Sequence, residues 1–351
     1  MERSNQEFQY YRNNRKNSYV RDGILYIKPT LVADEKGEDF LYSGTLQDSR
    51  CNKDPCASKA GADIVLPIYS ARMISNKAFK YGRLEIKARM PRGDWLWPAI
   101  WLLPKHNVYG DWPRSGEIDM VETHGNQNYT DKNGVLESTN RFSSTLHFGP
   151  DGSHDRYWFA RWEKVISKGP DVGKGFHVYG LKWTDHNIQF TLDGNLIGKI
   201  DAPEGGFWHL GEYDKDPGGT DIWKDGNSMA PFDNDFVILM NVAVGGTYFP
   251  DDYINHPHPR PWDWSSSHPI RDFWEKRNWW QPTWHGEDAA MQVDYVRLYH
   301  KHFPMWLITI NIFNLADVAD MGTLNRYGGK TAAAAMIPDD DDDEIDLNSA
   351  A

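Results

Sequence analysis

Cysteine is nearly absent from this chain, with two in 351 residues, Cys51 and Cys56. Two thiols do not complete a tetrahedral zinc site. A local loop disulfide is the favoured reading of the pair, free thiols being the alternative, and a disulfide would imply an oxidising compartment. Positive charge is also short. Lys and Arg number 38 against 50 Asp and Glu, a net charge of -12, which argues against nucleic acid as a partner. No apolar run reaches the roughly 18 residues of a transmembrane helix, so no membrane span is expected. The opening residues Met1, Glu2 and Arg3 are followed by polar ones and no apolar core, so no secretory signal is visible. Helical periodicity is scarce, 270–277 being one short candidate, and no repeat of fixed period occurs.

Aromatic residues are abundant: 16 Trp, 17 Tyr and 15 Phe. Strands favour aromatics, which accounts for part of this. Tryptophan also suits stacking on the apolar faces of sugar rings. Strand-like runs recur at 23–28, 81–90, 99–103, 117–122, 143–148, 177–183, 188–192, 236–244 and 291–299. Turn signals separate them, and Asp193-Gly194 between two alternating runs predicts a tight hairpin. Many strands and few helices predict an all-β sandwich. Two long loop regions, 203–234 and 250–285, are expected to be functional by their length. The second carries Trp262, Trp264, Trp274, Trp279, Trp280 and Trp284. These either wall a groove or form the loop's own small core. Beyond residue 302 the character changes to an atypical tail, with an acidic run at 339–344 that is expected to be solvated.

The chemistry concentrates in 117–122, where Glu117, Asp119 and Glu122 alternate with Ile118, Met120 and Val121. Burying carboxylates in a sheet costs several kcal/mol unless they are paired, so three together point to function. Strand alternation puts Glu117 and Asp119 on one face and Glu122 on the other. A one-residue bulge at Met120-Val121 would bring Glu122 back to the first face. Paired carboxyl groups roughly 5–5.5 Å apart are the tools of retaining glycoside hydrolysis. A third acid between them can hold a proton and keep their titrations apart. The alternatives are a solvated acidic edge strand or a cation site, and a calcium loop would want more oxygen ligands than this strand offers.

The segment Trp112-Pro113-Arg114-Ser115-Gly116 followed by Glu117-x-Asp119-x-x-Glu122 resembles the catalytic strand of glycoside hydrolase family 16. The extra residue before the second Glu resembles the laminarinase-type branch. The stretches 17–19, 23–30, 81–91, 97–104, 144–149, 241–246 and 293–299 agree with it, so the resemblance covers roughly residues 5–300. It extends both to endo-β-1,3-glucanases and to invertebrate β-1,3-glucan-binding proteins.

That resemblance implies a jelly-roll, concanavalin A-like β-sandwich over 1–302 with an open concave cleft for β-1,3-glucan. It makes Glu117 the nucleophile, Glu122 the acid/base and Asp119 the assisting acid. Trp101 and Trp112 would contact sugars, and His147 would hydrogen-bond a sugar or leaving-group oxygen. Arg89 and Asn241 are weaker groove candidates. Asp294 matches the position of the family's convex-face calcium, while catalysis itself is expected to need no cofactor. The family's domain begins some tens of residues earlier, so the N-terminal edge is expected to be incomplete. An extracellular monomer is expected, with no membrane partner. Two functions stay in view: a retaining endo-β-1,3-glucanase, or a non-catalytic glucan-recognition protein of innate immunity.

Overall fold

The computed structural model describes residues 5–47, 57–215 and 219–299. Both cysteines and the tail beyond 302 lie outside these residues. Two antiparallel sheets pack face to face. Their strands, in chain order, are β1 (Ser18–Arg21), β2 (Ile24–Ile27), β3 (Arg72–Ile74), β4 (Gly82–Arg89), β5 (Leu96–Pro104), β6 (Glu117–Glu122), β7 (Arg141–His147), β8 (Arg161–Val165), β9 (His177–Trp183), β10 (Asn187–Leu192), β11 (Asn195–Asp201), β12 (Phe236–Val244) and β13 (Met291–Tyr299). The six-stranded sheet runs β8-β7-β6-β5-β12-β3 and the seven-stranded sheet runs β11-β10-β9-β4-β13-β2-β1. This is the mostly β sandwich that the sequence predicted.

Alternation decides what each strand buries. On β4, Leu84, Ile86 and Ala88 are fully buried between the sheets, while Arg83, Glu85, Lys87 and Arg89 face away. The central strand β12 is buried on both sides. Phe236, Ile238, Met240, Val242 and Val244 enter the main core. Val237 and Leu239 join Ile74 in a second cluster on the outer side, against Trp101 and Leu103. That second face is the one on which β6 presents its acids, the face on which the resemblance places the cleft. The Asp193-Gly194 hairpin forms as predicted: Leu192 pairs with Asn195, and both turn residues have positive φ, 49° and 78°.

The tryptophan-rich loop builds its own core. Trp262, Trp274 and Trp280 are at most 3% exposed. Phe273 stacks on Trp280 at 4.4 Å, and Trp262 meets Phe8 and Trp95 edge-on at 5.0 and 5.1 Å. For Trp262, Trp274 and Trp280 the loop core is the reading realised; Trp264 and Trp284 pack partly buried against it, and Trp279 stacks on His258. The helical signal at 270–277 appears as two short helices, Pro269–Glu275 and Arg277–Trp280.

One groove expectation from the resemblance, Arg89, lies on the far side of the sandwich from the acids, and Asp294, expected on the convex face, lies on that same outer sheet. Arg89 is on the outward face of the seven-stranded sheet, ion-paired with Asp288 at 2.9 Å, so it is not a groove residue. Asp294 sits at a bulge in β13 and pairs with the Lys87 ammonium at 2.6 Å. Among the described residues it belongs to no cluster of three acidic or histidine side chains.

Candidate active site

The bulge in β6 is where the acid spacing requires it. Ile100 of β5 pairs with Val121 and Trp101 pairs with Asp119, so Met120 has no partner on that side. On the other side the register with β7 shifts between Asp119 and Glu122. The extra residue would leave the Met120 carbonyl without a ladder donor, and the buried Ser144 hydroxyl donates to it at 2.7 Å. Glu117, Asp119 and Glu122 thereby share the cleft face, opposite His147, Thr145 and Ser143 of β7.

Each outer glutamate holds one indole N–H. Trp112 Nε1 donates to Glu117 Oε2 at 2.7 Å, and Trp97 Nε1 donates to Glu122 Oε1 at 3.0 Å. Trp112 is 47% exposed, so its ring is open to a ligand. Trp97 stacks in parallel on Tyr248 with centroids 4.3 Å apart. Trp97 is a site residue beyond those that the motif indicates, and its even spacing from Trp101 on one strand places both on the same face.

Asp119 is 2% exposed. Its Oδ2 lies 3.0 Å from His147 Nε2, a charge contact without the alignment of a hydrogen bond. His147 Nδ1 meets Asp155 Oδ2 at 2.6 Å, and Asp155 Oδ1 accepts the Phe148 amide at 3.2 Å. Both ring nitrogens therefore face carboxylates, partners that the expected sugar contact did not include. His147 is a positioning residue, clamped between Asp155 and Asp119. Burial alone would lower its pKa, but the two carboxylates outweigh it and hold the imidazolium well above the usual histidine range.

The acids respond to the same field. Burial, reinforced by the Asp119 charge, pushes Glu122 up to about 7 against the opposing pull of His147 and Trp97. Burial and Asp119 raise Glu117 as well, opposed by His147 and by the Trp112 hydrogen bond. Such a pair titrates jointly. The anion belongs on Glu117, because the imidazolium sits directly across the ladder from it.

The floor continues over β5, β12 and β3. Trp101 Nε1 donates to Asn241 Oδ1 at 2.7 Å, and Asn241 Nδ2 donates to the Tyr11 hydroxyl at 3.1 Å. Arg72 lies 4.5 Å over the Tyr11 ring and 5.4 Å over Trp101. The structure thus brings Trp101, Trp112, His147 and Asn241 to the face of the three acids and leaves Arg89 out. It adds Tyr11, Arg72 and Trp97. Glu117, Asp119 and His147 also offer one ligand atom each within 4.8 Å of one another, the one such cluster among the described residues.

A pair of carboxyl groups on one open face, each fixed by an indole, fits glycoside chemistry, and the sequence profile of glycosyl hydrolases family 16 matches residues 45–216. The chain is 43% identical over 320 residues to a β-1,3-glucan-binding protein of Penaeus monodon, covering 84% of this chain and 83% of the relative. The chain belongs to glycosyl hydrolase family 16. It is also similar to β-1,3-glucan-binding protein 1 of Manduca sexta, 35% identical, covering 83% of this chain but 58% of that relative. Among solved structures, the laminarinase from Rhodothermus marinus superposes with a TM-score of 0.50 at 25% identity, covering 85% of this chain and 86% of the other. The sandwich is therefore the jelly roll of this family. Among the described residues, no helix is long and apolar enough to cross a membrane.

Proposed function

We propose that this family 16 chain is a retaining endo-β-1,3-glucanase acting on laminarin-like glucan. The observation that carries the reading is the pair Glu117 and Glu122, both present, both on the cleft face and each holding one indole N–H. Glu122 protonates the departing glycosidic oxygen as Glu117 attacks the anomeric carbon, forming a glycosyl-enzyme. Glu122, now ionised, takes a proton from water as that water displaces Glu117. Two carboxyl groups and water supply every proton and electron pair that these steps need. Asp119, held by the His147 cation, keeps negative charge between the glutamates and favours the protonated form of Glu122. The reading carries with it a β-1,3-glucan partner and an extracellular location.

The second reading is glucan recognition without hydrolysis, favoured by the names of the shrimp and moth relatives. Reducing-sugar release from laminarin separates the two. Release supports the enzyme; tight binding with no product supports recognition. The enzyme reading also fixes a pH profile. Glu122 must be protonated to act as acid, so kcat/KM for laminarin is expected to fall as pH rises through about 7. An activity that stays level from pH 6 to about 9 would contradict Glu122 as the acid.

A further inference from the structure

Beyond the acids, ring-to-ring contacts lead outward to two rings that the hydrolytic steps do not use, Tyr157 and Trp158. The Trp112 ring lies 5.8 Å from His147, His147 lies 5.4 Å from Tyr157, and Tyr157 lies 5.5 Å from Trp158. Tyr157 and Trp158 belong to the short 3-10 turn Tyr157–Ala160, which leads directly into β8, the edge strand of the cleft sheet. Trp158 is 52% exposed, the most exposed tryptophan among the described residues. Phe159, 6.1 Å from it, is 39% exposed, so the two rings form a small exposed apolar patch.

Trp158 has a cationic neighbour that favours one orientation. The Arg156 guanidinium lies 5.2 Å over the Trp158 ring and 5.8 Å over Tyr213. Tyr213 is itself anchored, its hydroxyl donating to the carbonyls of His154 and Phe148 at 2.7 and 3.0 Å. The cation biases the ring while about half of the residue stays open. A flat apolar surface of favoured orientation, a short series of ring-to-ring steps from the nucleophile, matches the apolar face of a pyranose.

We infer that Trp158, held by Arg156, is an outlying stacking site for a further glucosyl unit of the polysaccharide, beyond those bound at the acids. The inference rests on the glucan reading of the cleft. It makes affinity depend on chain length: a long glucan reaches Trp158, and a short oligosaccharide bound across the acids does not.

The test is calorimetric titration of the Glu117→Gln protein, which removes turnover, with laminarin and separately with laminaritriose. Adding Trp158→Ala is expected to weaken laminarin binding by about tenfold, equivalent to about 1.4 kcal/mol, and to leave laminaritriose unchanged. Trp158→Phe, which keeps a flat ring, is expected to restore most of the loss. Unchanged laminarin affinity, or equal weakening for both ligands, would overturn the outlying site while leaving the cleft reading intact. Failure of the Glu117→Gln protein to bind either ligand would overturn the cleft reading, and the stacking site with it. Because Trp158 is half exposed, its replacement leaves the buried core untouched.

Discussion

Replacing Glu117 with Gln is expected to lower laminarin hydrolysis by at least about a thousandfold while leaving laminarin affinity within about threefold. The substitution keeps the size of the side chain and an oxygen for the Trp112 N–H, so the floor of the cleft stays as built. What it removes is the negative oxygen that attacks the anomeric carbon. No neighbour can take over. Asp119 is buried and held against His147, and Glu122, raised by burial and by the Asp119 charge, is committed to the acid role. The variant also removes a buried charge beside Asp119, which relieves repulsion, so the fold is expected to survive. Single-turnover assays with circular dichroism as the fold control would check this. Wild-type-like turnover would dismiss Glu117 as the nucleophile.

Much of this site was legible because a strand has a period of two. That period puts Glu117 with Asp119, demands a bulge before Glu122, and along β5 puts Trp97 with Trp101. Arg89 shows where the same argument stops. It alternates correctly with Leu84, Ile86 and Ala88, so it faces away from the core, but each sheet has an outward face and the period does not say which is the cleft. His147 shows a different limit. Its place opposite Glu117 depends on the register between two strands, and its second partner, Asp155, arrives by a loop. Neither is set by local spacing, so spacing alone does not show that its two ring nitrogens face Asp155 and Asp119.

The fold was read with a similar division. The central strands carried long apolar runs and were placed with little error, because they bury one or both faces. The edge strand Arg161–Val165 alternates exposed and half-buried residues, which gave no hydrophobic signal. The tryptophans of 250–285 were ambiguous because the same rings that could stack on sugar also satisfy a loop that folds over its own core. Only their burial separates the two uses, and burial is a property of the whole chain rather than of its spacing.

Replacing Glu122 with Gln is expected to have an effect that depends on the leaving group, which the nucleophile variant cannot imitate. On laminarin the loss should be roughly a hundred- to ten-thousandfold, since the departing sugar oxygen is a poor leaving group without a proton. On an aryl β-glucoside oligosaccharide whose phenolate leaves unprotonated, the first step should recover, because Glu117 still attacks. The second step still lacks a base for water, so the glycosyl-enzyme should accumulate and appear as a burst of phenolate followed by slow turnover. Gln at this position keeps an oxygen for the Trp97 N–H, so the Trp97–Tyr248 stack that walls this end of the cleft is expected to stay in place. Mass spectrometry of the quenched burst phase should find the sugar on Glu117. Equal losses on laminarin and on the aryl substrate would remove Glu122 from the acid role, and the rise of its pKa to about 7 would then reflect burial beside Asp119 alone.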